Sequence, residues 1–213
     1  MANFNVHFNV ADMEGKAVLV FLKPESPRRN CRIHAWRVLI GTEGSTQSFE
    51  HESSHYYHII QANVTPVDGG LDSPLISDRA GMFPGQLFEA VSLDGHSPTL
   101  RQSAASLAQT KLSPEQCGVI NRMNPFTLLD CHWFVEGLPV ATMPHVDTNM
   151  TVSFEYLQHL YFMVAKPPVA GQTFSISDFS AMAQYLAPIR ALNVDIELTR
   201  KNERWAFEFS SDG

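Results

Sequence analysis

Apolar and polar positions alternate along much of the chain, and a period of two marks strands with one covered face and one exposed face. Residues Asn3 to Val10 alternate in part, and Ala17 to Leu22 is a continuous apolar run ended by Lys23-Pro24. Ile33 to Ile40 reads as a strand stopped by Gly41, and Tyr56 to Val64 as another closed by Pro66. Leu87 to Leu93 precedes an Asp94-Gly95 turn. The clearest pattern is C-terminal. Val194, Ile196 and Leu198 share one face, Arg200-Lys201-Asn202-Glu203 turns the chain, and Trp205, Phe207 and Phe209 line one face of the return strand. Polar Asp195, Glu197 and Glu208 take the opposite faces, so this segment is expected to be a hairpin.

Helix signals are few. Ser97-Pro98 before Thr99 to Gln109 resembles an N-cap with proline at the first helical position. Ser113-Pro114-Glu115-Gln116 is a second start, with Gln116 placed for a capping box, but Gly118 soon stops it. Ser177 before Asp178 to Leu186 is a third, ended by Pro188. The stretch from Asp68 to Gly85 is rich in Gly, Pro, Ser and Asp, has no periodicity, and reads as a long loop.

Five anchors recur in order in the two halves. Cys31 and Trp36, Gly41, Ser48-Phe49-Glu50, Tyr57 and Gly85-Gln86-Leu87-Phe88 are answered by Cys131 and Trp133, Gly137, Ser153-Phe154-Glu155, Tyr161 and Gly171-Gln172-Thr173-Phe174. A unit of this kind cannot bury its own apolar face, so two copies facing one another would form a sandwich. The expected architecture is therefore mostly β: an antiparallel β-sandwich, or two packed small β units, from an internal duplication, with one to three short helices. The chain is expected to form one compact unit over 1–213, with halves of approximately 1–96 and 113–213 joined by a short helical segment, 97–112.

Composition narrows the function. Only 17% of the 213 residues are charged, against a usual share of about 25%, so little repulsion keeps copies apart. The net charge is −7, and the short basic clusters Arg28-Arg29 with Arg32 and Arg200-Lys201 with Arg204 read as solvated loop charges. Nucleic acid is therefore not an expected partner. Three cysteines, Cys31, Cys117 and Cys131, are too few for a disulfide framework. The first residues lack the charged and apolar regions of a secretory signal, and no apolar stretch approaches the ~20 residues of a spanning helix. A cytoplasmic location and no transmembrane segment are expected.

One segment matches a catalytic pattern. In His51-Glu52-Ser53-Ser54-His55 the two histidines would share one face of a helix and could hold Zn²⁺, with Glu52 activating a water. The setting argues otherwise. Ser53-Ser54 favours helix weakly, and the β-prone run Tyr56 to Ile60 follows at once. In a strand, residues four apart lie ~13 Å from one another, too far for one metal ion. Other residues are candidates for a ligand site: His34 and Trp36 two apart on one strand, adjacent His132 and Trp133 on opposite faces, and His145 and Asp147 after Pro144. The tryptophans are read first as core. No nucleophile elbow, phosphate loop or dinucleotide fingerprint is present.

The leading expectation is a non-catalytic β-sandwich, without a cofactor, that assembles with itself or binds a neutral small molecule, a glycan or a lipid-like surface. The alternative is a zinc-dependent enzyme using a histidine cluster.

Overall fold

The computed structural model describes residues 2–24, 30–51, 60–67, 76–93, 97–124, 127–168, 174–176, 182–186 and 193–211. Its first half runs β1 (Ala2–Phe8), β2 (Ala17–Pro24), β3 (Arg32–Leu39), β4 (Thr46–His51), β5 (Ile60–Pro66), β6 (Ala80–Met82), β7 (Leu87–Ser92), β8 (Pro98–Gln102) and α1 (Ala105–Lys111). The second half runs β9 (Gln116–Asn121), β10 (Leu129–Val135), β11 (Leu138–Val146), β12 (Thr151–Ala165), β13 (Ser175–Ile176), β14 (Ala183–Leu186), β15 (Asn193–Lys201) and β16 (Arg204–Ser211). The protein is mostly β with antiparallel sheets, as the alternation implies, and α1 is the one helix among the described residues.

The chain divides into two compact units, each drawing on both halves of the sequence. Unit 1 is Met1–Leu22, His34–His58 and Gln158–Gly213; unit 2 is Lys23–Ile33 and Ile59–Leu157.

Unit 1 is a sandwich. One layer has the order β16-β15-β1-β4, with β1 parallel to β15 and antiparallel to β4. In the other layer β2 lies between β3 and β12, β13 pairs with β3, and β14 pairs with β12. The period of two is read out directly in the first layer. Phe4, Val6, Phe8, Val194, Ile196 and Leu198 point inward with no exposed surface, and the residues between them point out. Between the layers, Phe162 packs against Phe49, Phe207 and Phe209 at ring-centroid distances of 6.5, 5.8 and 5.5 Å. Tyr185 meets Phe4 at 5.9 Å and Phe209 at 5.0 Å. The unbroken run Ala17 to Leu22 is buried throughout, as a strand covered on both faces should be. Gly41 is required where it stands: a Cβ there would lie 2.5 Å from the buried Phe8 ring.

Unit 2 has two groups of strands. β6, β5, β10 and β11 pair in that order, with Arg32 and Ile33 of β3 alongside β11. The start of β12 pairs with β9, which runs parallel to β7, and β7 carries β8 on its other edge. Trp133 of β10 stacks on Phe154 of β12 at 5.5 Å. The helix α1 places Ala108 against Leu87 and Ile120. Asn121, fully buried, ties the β9–β10 connection to the end of β11: its amide donates to the carbonyls of Thr127 and Val146 at 2.8 Å each, and its Oδ1 accepts the Met123 N–H at 2.9 Å.

The structure corrects the helix assignments. Segment 97–112 is not helical from Pro98. Pro98–Gln102 is an edge strand paired with β7, where a leading proline is tolerated, and only Ala105–Lys111 is helix. Ser113-Pro114-Glu115 is a turn closed by the Gln116 Oε1, which accepts the Ser113 N–H at 3.1 Å. That is half of a capping box, but the chain leaves it as β9. Ala183–Leu186, the end of the third helical candidate, is a strand on β12; residues 177–181 lie outside the described ones. The long loop contains the short strand Ala80–Met82.

The internal duplication is not confirmed. Gly137, with φ 77°, sits in the tight turn joining β10 to β11, whereas Gly41 follows a strand that does not pair with β4. Phe49 lies on a strand paired with β1, and Phe154 on one paired with β9. Tyr57 and 171–173 lie outside the described residues.

Replacing Asn121 by Ala strands two carbonyls and one N–H in the interior of unit 2 and should lower stability by about 3 kcal/mol. A urea unfolding curve, with its midpoint moved well down at unchanged slope, is the check.

Candidate interaction surface

The candidate site residues fall into three settings. His51, Trp36 and His34 belong to the interior of unit 1. His51 ends β4 as a strand residue opposite Ala2, is 1% exposed, and meets the Trp36 ring edge-on at 4.9 Å. Arg37 lies over the same indole at 3.8 Å. Glu52 and His55 lie outside the described residues. Among the described residues no three His, Cys, Asp or Glu side chains come together as a metal-ligand set.

His132 and Trp133 do point to opposite faces, as adjacent strand residues must. Trp133 is core. The His132 ring lies between two hydroxyls, with Nδ1 3.0 Å from Thr142 Oγ1 and Nε2 3.3 Å from Thr65 Oγ1. Burial pushes its pKa below the usual 6.5; nearby Asp130 opposes this and Arg32 reinforces it. His145 and Asp147 are exposed. His145 has left-handed backbone, φ 54°, and its N–H donates to Asp130 of the paired strand at 2.9 Å, where the β10–β11 register shifts by a bulge.

The cysteines are poor nucleophiles, since attack needs the thiolate. Burial raises Cys31 to about 11 and Cys117 to about 12, and lifts Cys131 well above the ordinary range. A cavity of about 350 Å³ in unit 2 lies beside α1, lined by Gly85, Ala105, Ala108, Gln109, Leu112 and Ser113 with Pro114. Among the described residues no ionisable side chain lines it.

The outer face of the β16-β15-β1-β4 sheet is polar and internally bonded. Asn5 donates to Asp195 at 3.1 Å and accepts from Ser48 at 2.8 Å, and His7 bridges Thr46 and Asp195 at 3.0 Å each. The bonds from His7 and then Asn5 hold the Asp195 carboxyl below the usual carboxylate range.

At the edge of this sheet the pattern changes. The turn residues Asn202 and Glu203 have φ of 50° and 64°, the geometry of a two-residue turn whose twist suits a hairpin. From that turn β16 pairs along its whole length with β15, Lys201 opposite Arg204 through Val194 opposite Ser211. Among the described residues no strand pairs with its other side. Trp205, Phe207 and Phe209 are only half-buried, although Leu198 and Ile196, directly opposite the latter two, are fully covered. Trp205 takes part of its cover from Arg200 and Lys16, whose charged ends lie 5.3 and 5.8 Å from its ring and which both pair with Asp12. Sequence reading recognised this strand but did not single it out as a site. The available signal was charge placement, which needs the hairpin register to be read.

Comparison with protein-family models, curated proteins and solved structures finds no match for this chain.

His132 carries a pH prediction for unit 2. Its pKa is lower folded than unfolded, so the unfolded chain binds the extra proton as pH falls below 6.5 and stability drops until the lowered folded pKa is passed. Replacement of His132 by Gln should remove that acid-side slope. Urea midpoints at pH 7 and pH 5 measure it, and an equal loss in the native and variant proteins would contradict the assignment.

Proposed function

We propose that this chain is a non-catalytic β protein whose work is to assemble with itself. One observation carries the reading: β16 is an eight-residue edge strand without proline, with half-covered aromatics on one face. Edge strands of that length in soluble proteins are ordinarily blunted by proline, bulges or inward charges, because an open row of N–H and C=O groups recruits another strand. Here none of these devices interrupts the regular β15–β16 register. The sparse charge of the chain favours the same behaviour by weakening repulsion between copies. Three free cysteines, two of them buried, fit a reducing compartment such as the cytoplasm. No described helix is long and apolar enough to cross a membrane.

Sedimentation of the untagged protein over a hundredfold range of concentration tests this. The particle mass should rise to a fixed multiple of the chain mass as concentration increases. A single-chain mass over the whole range would overturn the proposal.

A further inference from the structure

Resting on the assembly reading, we infer that the contact is isologous: β16 of one copy pairs antiparallel with β16 of a second copy about a two-fold axis at Ala206. In such a pair, directly opposed residues share a face, so the two-fold must pass through a residue rather than between residues. That leaves a short set of registers along β16, and charge separates them.

Within one chain both charged residues of β16 face their own sign across the hairpin. Arg204 lies opposite Lys201, and Glu208 lies opposite Glu197. Like charges directly opposed on one sheet face are destabilising. Glu208 gains partial relief from a diagonal contact with Lys201, and Glu197 from Asn9. Arg204 is exposed and makes no ion pair among the described residues. With the axis at Ala206, Arg204 of each copy stands opposite Glu208 of the other. Both like-charge pairs are then flanked by an opposite charge, twice over by symmetry. An axis at Trp205 places Arg204 opposite Ala206, and an axis at Phe207 places it opposite Ser210. An axis at Arg204 or Glu208 opposes two like charges. Among the described residues of β16, only the Ala206 register sets unlike charges face to face and opposes no like ones.

The same register satisfies the inner face and the backbone. Trp205 meets Phe207 of the second copy on both sides of the axis, extending the aromatic layer that ends half-covered in a single chain. Counting from the two-residue turn, whose flanking Lys201–Arg204 pair is the doubly bonded one, Ala206 turns its N–H and C=O toward β15. Trp205 and Phe207 turn theirs outward, and as opposed partners across the new contact they bond each other. Ala206 then faces its own copy at the close, non-bonded spacing of ~4.5 Å between Cα atoms, within disulfide reach.

Cross-linking decides the register. In a Cys31→Ser background, Ala206→Cys should form a disulfide dimer under mild oxidation, and Phe207→Cys, which faces Trp205, should not. Arg204→Glu alone and Glu208→Arg alone should each weaken dimerisation at least about tenfold, since each change acts at two symmetric pairs. The double exchange should restore it. All these positions are exposed or half-exposed, and circular dichroism reports whether each variant folds. Cross-linking at 207 but not 206 overturns the register. A dimer by sedimentation that neither cysteine captures, and that the charge exchange leaves unchanged, overturns the edge contact while the assembly reading stands. A protein that sediments as a single chain ends both.

Discussion

The aromatic layer inside unit 1 must stay dry, and most of the unit's features serve that requirement. Phe162, fully buried, touches rings from β4 and from β16, while Phe4 and Phe49 stack in parallel at 5.0 Å on neighbouring strands. Aromatic pairs at such distances add to the hydrophobic gain of burying the rings themselves. To keep both layers in contact, β1 occupies the interior of its sheet, with every second residue turned inward. Gly41 leaves room for Phe8 that no Cβ would permit. The polar row Asn5, His7 and Asp195 on the reverse side is the necessary counterpart of the same alternation, and its groups are bonded to each other and to Ser48 and Thr46.

That constraint is met in the middle of the sheet and only half met at its margin. β15, flanked by β1 and β16, hides Val194, Ile196 and Leu198 completely. The next strand out continues the alternation with larger side chains and, among the described residues, has a neighbour on one side. A sandwich that ends on Trp, Phe and Phe has its apolar layer running to the edge. The neighbouring charges carry the same incompleteness, since each faces its like across the hairpin. Packing and electrostatics thus both single out the same strand, the one the assembly proposal rests on.

Much of the fold was legible because strands that cover one face write that fact as alternation. The hairpin at Val194 to Phe209, the strand at Ile33 to Ile40 and the buried run Ala17 to Leu22 could all be read from residue order. A short helix does form within 97–112, at Ala105–Lys111, but the starts at Pro98 and Ser113 gave way to a stronger tertiary alternative. Pro98 could open a helix, but pairing with β7 claimed it for a strand edge. The Gln116 side chain closed a turn and not a helix. The duplication is not confirmed, because shared landmarks such as a glycine after a tryptophan strand say nothing about which strands pair. For the site, His51 and His34 stood out as chemistry-bearing residues; both are buried in unit 1, His51 against the Trp36 ring, and that burial is long-range information. The edge strand was visible as a strand but not as an edge, because sheet order is long-range information.

Amide hydrogen exchange on the untagged protein, compared at dilute and concentrated ends of the sedimentation range, tests the central claim that β16 is the open edge a second copy completes. The account predicts that the Trp205 and Phe207 amides exchange freely when dilute and become protected when concentrated, while Ala206, already turned toward β15, is protected in both. Equal exchange at Trp205 and Phe207 in the two samples, or new protection confined to other strands, would contradict it.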